Sequence, residues 1–278
     1  DPGFSIVHAS GGAVPATRLP LVATIHDLGW RHEPGHATRR GRRLFEAWLA
    51  DARRADHVTC PSEATRSDLL AAGFEPDRVG VIPLGADPVA VDPGAAAALR
   101  SHYGIDGPFV LWVGTTEPRK NLVRLVSAME QIPDVPLVLV GPAGWKEDAA
   151  SVTEPLGERA HIVGRVDEAT KHAWYAAADV FAMPSLLEGF GLPVLEAMGH
   201  ATPVVTSAGT ATAEVVGDTG TTVDPTDTDA IAGAISGLLA DPDEASRMGE
   251  ACRQRAATMT WAVAATATAD VYHRVLAS

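Results

Sequence analysis

The chain of 278 residues is 46% hydrophobic and 21% charged, the composition of a soluble globular protein of about two domains. No stretch approaches the ~18 consecutive apolar residues of a spanning helix, so disorder and membrane insertion are both excluded. Its 22 basic and 35 acidic residues give a net charge of −13, which excludes a nucleic-acid duplex as the main partner and requires that any bound phosphate be met by a local basic island.

Short β-branched apolar runs alternate with longer stretches of helical period, the pattern of a parallel sheet with crossover helices. In chain order the runs predict strands over 21–25, 57–60 and 79–83. A segment over 83–108 follows, where Pro83, Gly85, Pro88, Pro93, Gly94, Gly104, Gly107 and Pro108 surround one short helix over 95–102; this is the expected domain boundary. Further strands are predicted over 109–113, 137–140, 161–163, 180–183 and 203–206, most of them apolar throughout, as strands covered on both faces should be. Ile231, Ile235, Leu238 and Leu239 then share one helical face, behind a start at Thr226 to Asp229 and before a stop near Asp241-Pro242. A second helix is expected from about Asp243 and a third over 261–276.

The part before the boundary holds few strand candidates, and the chain starts at Asp1 without Met, a basic region or an apolar signal core. It is therefore expected to be the trailing portion of a longer domain. Cys60 and Cys252 lie outside any CxxC spacing, which suits a reducing cytosol and gives neither a disulfide framework nor a zinc ribbon.

Two motifs are misleading. His32-Glu33-Pro34-Gly35-His36 matches the HExxH pattern of zinc proteases, but Pro34 and Gly35 fall inside the helical turn that such a site needs, so a loop is expected. Gly189-Phe190-Gly191 lacks the third glycine of a dinucleotide fingerprint, since Val194 stands at that position.

The segment Ser185 to Met198 carries the strongest signal. A strand should end near Pro184 and a helix begin near Gly191, with Pro193 tolerated in its first turn. The amides of Phe190, Gly191 and Leu192 then become free donors at a positive helix end, at the carboxyl edge of the sheet where open α/β folds hold ligands. Glu188 precedes this helix and Glu196 lies inside it, about 7 Å from its start at ~1.5 Å per residue, where it can face a diol. The other reading, a solvated loop acid and a surface helix acid, is disfavoured by the amide-rich turn between them.

Glu188 and Glu196, with the GFGLPVLEAM core between and around them, resemble the EX7E motif of family 4 of the retaining, nucleotide-sugar-dependent glycosyltransferases. His26-Asp27 is similar to that family's TxHD element, Val81-Ile82-Pro83-Leu84-Gly85-Ala86-Asp87 to its VIPNGVD turn, and Gly114-Thr115-Thr116-Glu117-Pro118-Arg119-Lys120-Asn121 to its GxxEPRKN phosphate segment. The resemblance continues through Ala201-Thr202-Pro203-Val204-Val205 to Trp261 at the head of the last helix.

The resemblance implies the GT-B arrangement, an α/β fold of two Rossmann-like domains with parallel sheets and donor and acceptor in the cleft between them. Residues 1–90 would form the C-terminal part of a truncated N-terminal, acceptor-side domain, with the last helix over 261–278 packing back on it. Residues 105–260 would form the donor-binding domain.

Implied roles follow the motifs. Glu188 and His26 are the catalytic candidates, and Glu188, Gly189, Phe190 and Gly191 would hold the sugar. Arg119, Lys120, Gly191 and Leu192 would hold the diphosphate, stabilising the charge that grows on it as the glycosidic bond breaks. Thr115 stands where many members carry Arg. Glu196 would accept from the ribose, and Val166, Glu168 and Lys171 would face the base, although Glu168 and Lys171 read equally as an i, i+3 surface pair. Asp27 reads as a turn former. Gly199-His200-Ala201 replaces the family's Ala-Cys-Gly, which should move the helix terminator two positions earlier, to Gly199.

The implied activity is retaining transfer of a hexose, mannose favoured, from a nucleotide-diphosphate sugar to a glycan, lipid or small-molecule acceptor. GDP-mannose is favoured over a UDP-sugar as donor. No cofactor, no metal and no nucleic-acid partner is expected, and Asp227-Thr228-Asp229 should merely start a surface helix. The expected location is the cytoplasm, with peripheral attachment to the inner membrane face through the missing N-terminal part as an additional reading. Two alternatives stay open: another GT-B nucleotide-sugar enzyme, of epimerase or phosphorylase type, and a catalytically silent nucleotide-binding subunit.

Overall fold

A computed structural model describes residues 3–32, 37–144 and 147–277. The elements begin with β1 (Val7–Ala9), β2 (Leu21–Thr24), α1 (Gly29–His32), α2 (Arg39–Ala52), β3 (His57–Cys60), α3 (Glu63–Ala71), β4 (Val79–Val81) and α4 (Pro93–His102). They continue with β5 (Val110–Val113), α5 (Leu122–Glu130), β6 (Leu137–Val140), α6 (Ala149–Thr153), β7 (Ala160–Gly164), α7 (Glu168–Ala177) and β8 (Val180–Met183). The last are α8 (Leu192–Gly199), β9 (Val204–Ser207), α9 (Ala211–Val216), β10 (Thr221–Val223), α10 (Thr228–Ala240), α11 (Pro242–Ala256) and α12 (Trp261–Ala277). The HExxH match falls mostly on residues 33–36, outside the described residues; His32 ends α1 and pairs with Asp68 at 2.7 Å.

Helix starts follow cap chemistry. Asp92, Asp167, Asp227 and Asp241 each stand at an N-cap and accept a backbone N–H from the first turn, as do Thr38 and Ser62. Asp27 accepts from the Gly29 amide at 2.8 Å, the turn its position indicated. Asp227 caps α10 through the Ala230 amide at 2.9 Å.

The chain divides into two compact units. The first comprises Asp1–Gly85, Glu188–Phe190 and Met259–Ser278, built on a parallel sheet in the order β1-β2-β3-β4. Its core gathers Leu21, Ala23, Leu28, Leu49, Val58, Leu69 and Phe74. A polar chain ties α12 to the sheet: Tyr272 and His8 Nδ1 lie 2.5 Å apart, His8 Nε2 meets Thr24 Oγ1 at 2.7 Å, and Thr24 meets Thr59 at 2.7 Å. Gly85 closes the turn before this unit ends, because a Cβ there would overlap the backbone of Thr260 and Trp261.

The second unit comprises Ala86–Leu187 and Gly191–Thr258, on a six-stranded parallel sheet in the order β10-β9-β8-β5-β6-β7. Val110 registers with Leu137 on one side and Val180 on the other, so β5 and β8 are central neighbours. Every residue of β5, β6, β8 and β9 is buried, which is why these strands read as unbroken apolar runs. From β5 the chain winds outward through β6 and β7, then returns to β8 and winds the other way, the doubly wound topology with its reversal between β5 and β8.

Two strands, β1 and β10, were not expected from the pattern; both are three-residue edge strands without a fully buried residue, so neither has an apolar run to betray it. The terminator of α8 also differs from expectation. The helix does end at Gly199, but the left-handed residue that closes it is Ala201, with φ 58°. The Thr202 amide reaches the Ala197 carbonyl at 3.2 Å and the Ala201 amide the Met198 carbonyl at 3.0 Å, a Schellman closure centred on alanine.

Candidate functional site

In a doubly wound sheet the ligand crevice opens where successive connections leave in opposite directions, at the carboxyl ends of the two strands flanking the reversal. In the second unit those are β5 and β8. Within this unit the segment 114–121 follows β5 and the residues 184–187 follow β8, so the phosphate-segment resemblance and the chain that leads into the EX7E segment leave the two strands that flank the reversal.

The two loops are tied together. The Leu186 amide donates to the Arg119 carbonyl at 2.8 Å, and Asn121 Nδ2 donates to the carbonyls of Pro184 at 2.8 Å and Pro225 at 2.7 Å. Asn121 is left-handed, with φ 60°, because it is both the end of the 3₁₀ turn Pro118–Lys120 and the start of α5. That turn carries Arg119, whose Nε lies 2.9 Å from Glu117 Oε2, and Lys120, which is 94% buried by its 6% residual exposure. Gly141 and Gly144 pack against this loop so closely that a Cβ on either would overlap the carbonyl of Gly114 or Thr116.

Across the crevice Gly191 caps α8 with φ 108°, and a Cβ there would lie 2.7 Å from Thr212 Cγ2, so both conformation and space require glycine. The Gly191 carbonyl takes the Val194 and Leu195 amides at 3.0 and 3.2 Å. The amides of Gly191 and Leu192 have no hydrogen-bond partner among the described residues, as expected of an open helix N-terminus.

Glu196, on α8, faces α7. Its Oε1 takes the Lys171 ammonium at 2.9 Å and its Oε2 takes the Tyr175 hydroxyl at 2.8 Å. Lys171 also pairs with the exposed Glu168 at 2.8 Å; burial lowers its affinity for a proton, and the two carboxylates more than reverse this, leaving its pKa raised. The i, i+3 pair and the contact with Glu196 thus coexist. Burial, then Glu196, pushes the Tyr175 phenol well above its ordinary range, so it remains a donor. Behind them His172 Nδ1 meets His200 Nε2 at 2.8 Å, and burial lowers both rings, His200 to about 4. Val166, half-buried, lies in the loop after β7 just before Asp167 caps α7.

Among the described residues, Glu168, His172 and Glu196 bring one potential metal-ligand atom each within 4.8 Å of one another. The Lys171 ammonium already bonds both carboxylates, so this cluster carries its own cation.

In the first unit, His26 follows β2, exposed, with Nε2 3.0 Å from the Ser10 carbonyl. The three residues Glu188–Phe190 group with this unit. Gly189 lies so close that a Cβ would overlap the His26 carbonyl oxygen and come within 3.0 Å of Asp27 Cβ. The Gly189 carbonyl accepts from Ser62 Oγ at 2.8 Å, while Thr65 Oγ1 donates to the His26 carbonyl at 3.3 Å. Structure therefore brings together the turn of Arg119 and Lys120 with residues 184–187, Glu168 and Lys171 with Glu196, and His26 with Gly189. It adds Asn121, Ser62, Thr65 and Tyr175, which sequence reasoning did not assign. The capping types Asn121 and Ser62, each just before a helical run, were the available signal.

The fold is that of the GT-B glycosyltransferases, and the comparisons agree. A family described as glycosyl transferases group 1 matches residues 107–241, and one described as glycosyltransferase family 4 matches residues 2–90. The GDP-mannose-dependent alpha-(1-6)-phosphatidylinositol monomannoside mannosyltransferase of Mycolicibacterium smegmatis is 36% identical over 86% of this chain and 65% of its own length. The sucrose-phosphate synthase of Thermosynechococcus elongatus aligns with TM-score 0.80 at 30% identity, over 94% of this chain and 69% of that one. Anabaena HepE, solved with UDP-glucose, shares the fold with TM-score 0.82 at 23% identity, over 92% and 73% of the two chains. The chain belongs to glycosyltransferase family 4, the glycosyl transferases group 1. It spans 65% of the length of the first curated relatives it matches. No described helix is long and apolar enough to cross a membrane.

Proposed function

We propose that this protein is a retaining hexosyltransferase that moves a sugar from a nucleotide diphosphate to an acceptor hydroxyl. The observation that carries the reading is that, at the reversal of the second unit's sheet, the cationic turn Pro118–Lys120 is bonded, through the Leu186 amide on the Arg119 carbonyl at 2.8 Å, to the chain leaving β8 toward the open helix start at Gly191. A diphosphate there would meet Arg119, Lys120 and the amides of Gly191 and Leu192, all of which strengthen as negative charge grows on the leaving group. Glu196 would accept from the ribose, and Val166, Glu168 and Lys171 would face the base. Glu188, with Gly189, Phe190 and Gly191, would orient the sugar hydroxyls and balance positive charge at the anomeric carbon, and His26 would act at the transferred sugar. The leaving phosphate takes the acceptor's proton, so neither a protein nucleophile nor a metal is called for. In domain terms, 105–260 would hold the donor and 1–90 with the last helix would serve the acceptor.

GDP-mannose is our favoured donor, supported by the GDP-mannose dependence named for the 36% identical mannosyltransferase. A cytoplasmic location is supported by the two buried free thiols, Cys60 and Cys252. Peripheral attachment to an anionic membrane surface is supported by α2, which opens with Arg39, Arg40, Arg42 and Arg43 and has no acid in its first turn, against the preference of a positive helix end. Arg39, Arg40 and Arg43 are exposed and have no ion-pair partner among the described residues. Sedimentation with phosphatidylglycerol vesicles, and not with phosphatidylcholine alone, is expected, and its loss in Arg40→Glu/Arg43→Glu checks the assignment.

Calorimetry against GDP, UDP, ADP and dTDP tests the main reading and selects the donor. One diphosphate is expected to bind and to weaken about tenfold or more in Lys120→Ala, as for a lost charge-assisted bond. Absence of binding by all four, or a Glu188→Ala variant that transfers sugar at the unaltered rate, refutes it. Product formation only when an acceptor is added separates a transferase from an epimerase, and binding without turnover marks a silent subunit.

A further inference from the structure

A carboxylate that must accept from both hydroxyls of a ribose has to present its oxygens in a fixed plane. Glu196 is one turn inside α8 on a side chain with three rotatable bonds, and nothing on its own helix fixes that plane. Two donors from α7 do: the Lys171 ammonium on Oε1 at 2.9 Å and the Tyr175 hydroxyl on Oε2 at 2.8 Å. Each oxygen has about two acceptor directions, so one donor on each leaves the outward directions unused.

The two donors differ in how well they are themselves held. Lys171 is a flexible side chain shared with Glu168. Tyr175 is fully buried at 0% exposure, with its ring near Phe181 at 5.7 Å between centroids and stacked on His200 at 6.0 Å and 12°. The backbone behind it is pinned by Thr202 Oγ1, which donates to the Tyr175 carbonyl at 2.7 Å. A buried phenol needs one partner for its hydroxyl, and here that partner is a functional carboxylate. Burial also keeps the phenol protonated, and thus a donor, throughout the neutral range.

We infer that Tyr175 is a positioning residue for nucleotide recognition: its hydroxyl fixes the Glu196 carboxylate in the plane that accepts the two ribose hydroxyls. The inference rests on the proposed role of Glu196, and the experiment separates the two. Tyr175→Phe keeps every ring contact and deletes one hydroxyl. Binding of GDP and of UDP is measured beside that of their 2′,3′-dideoxy counterparts, for the full chain, Tyr175→Phe and Glu196→Ala. For the nucleotide that binds, Tyr175→Phe is expected to weaken the ribonucleotide by about tenfold, the size of one hydrogen bond to a charged group, and to leave the dideoxy form unchanged. A residue with a merely structural role would weaken both forms alike, and that result, or an unchanged ribonucleotide affinity, overturns the inference. A Glu196→Ala variant that binds ribonucleotide and dideoxynucleotide as the unaltered chain does refutes the ribose role itself. Selective loss in Glu196→Ala without selective loss in Tyr175→Phe refutes the positioning role alone.

Discussion

Two glycines ten positions apart should respond oppositely to the same added methyl group. At Gly189 a Cβ would overlap the His26 carbonyl oxygen and approach Asp27 Cβ to 3.0 Å; both are parts of the backbone segment that leaves β2, and neither can rotate aside. Relief requires the loop to back away from His26, which also breaks the 2.8 Å bond from Ser62 Oγ to the Gly189 carbonyl. Overpacking of about 1–3 kcal/mol and a lost hydrogen bond of about 0.5–1.5 kcal/mol together predict that Gly189→Ala destabilises the first unit by about 1.5–4.5 kcal/mol. For a unit of this size that corresponds to a drop on the order of 10 °C or more in its thermal midpoint. Gly199, the last residue of α8, is exposed, and a Cβ there meets nothing within 4 Å. Gly199→Ala should therefore stabilise the second unit by up to about 1 kcal/mol through helix propensity. Scanning calorimetry of the two variants beside the unaltered chain provides the assay. A Gly189→Ala protein as stable as the parent, or a Gly199→Ala protein that loses as much as Gly189→Ala is expected to lose, would refute the reasoning from space.

Other outcomes follow from the same geometry. His200 is lowered from 6.5 to about 4 by burial and then by His172, itself lowered by burial, so between these values the unfolded chain binds protons that the folded chain does not. Their contribution is intact above about pH 6.5 and is lost as pH falls toward 4, by at most about 3 kcal/mol for His200 and nearer 1–2 kcal/mol given its partial exposure to water. Urea unfolding at pH 7 and pH 5 checks this against His200→Gln, which should lose part of the slope; an identical slope removes His200 from the account. Ala201 holds a left-handed backbone at φ 58°, so Ala201→Gly should raise the urea midpoint by the equivalent of about 1 kcal/mol. A lower midpoint would mean that the methyl group packs more favourably than its conformation costs.

Legibility differed from element to element. Strands β3, β6 and β8 coincide with the predicted runs because each is bounded by polar or turn residues and packed on both sides. Helix α10 was readable from the shared face of Ile231, Ile235 and Leu238 behind Thr226 to Asp229, and α11 begins at Pro242, one residue before the expected start, because Asp241, read as the stop of α10, also caps it. The strand end expected at Pro83 falls instead at Val81, since proline has no N–H to offer the ladder. Helix α8 ends at Gly199 as expected, but its left-handed closure at Ala201 was not legible because alanine carries no conformational signal; the paired closure bonds accompany it.

The candidate site was legible as segments and not as contacts. Arg119, Lys120, Gly191 and Glu196 stand in motifs whose local chemistry, cation, open amide and carboxylate, is visible residue by residue. That Asn121 reaches Pro184 and Pro225, or that Ser62 reaches Gly189, depends on pairs separated by 63, 104 and 127 positions.

By itself the sequence determined the alternation of buried strands and capped helices, and with it a parallel α/β chain carrying the motifs of one family. These are consequences of short-range periodicity and of backbone preference, which act within a few residues. The tertiary structure alone decided that the reversal of the second sheet sets the two motif loops side by side, and that Glu196 is held between Lys171 and Tyr175. Strand order and the facing of one helix by another are set by packing over the whole unit, and no local period encodes them.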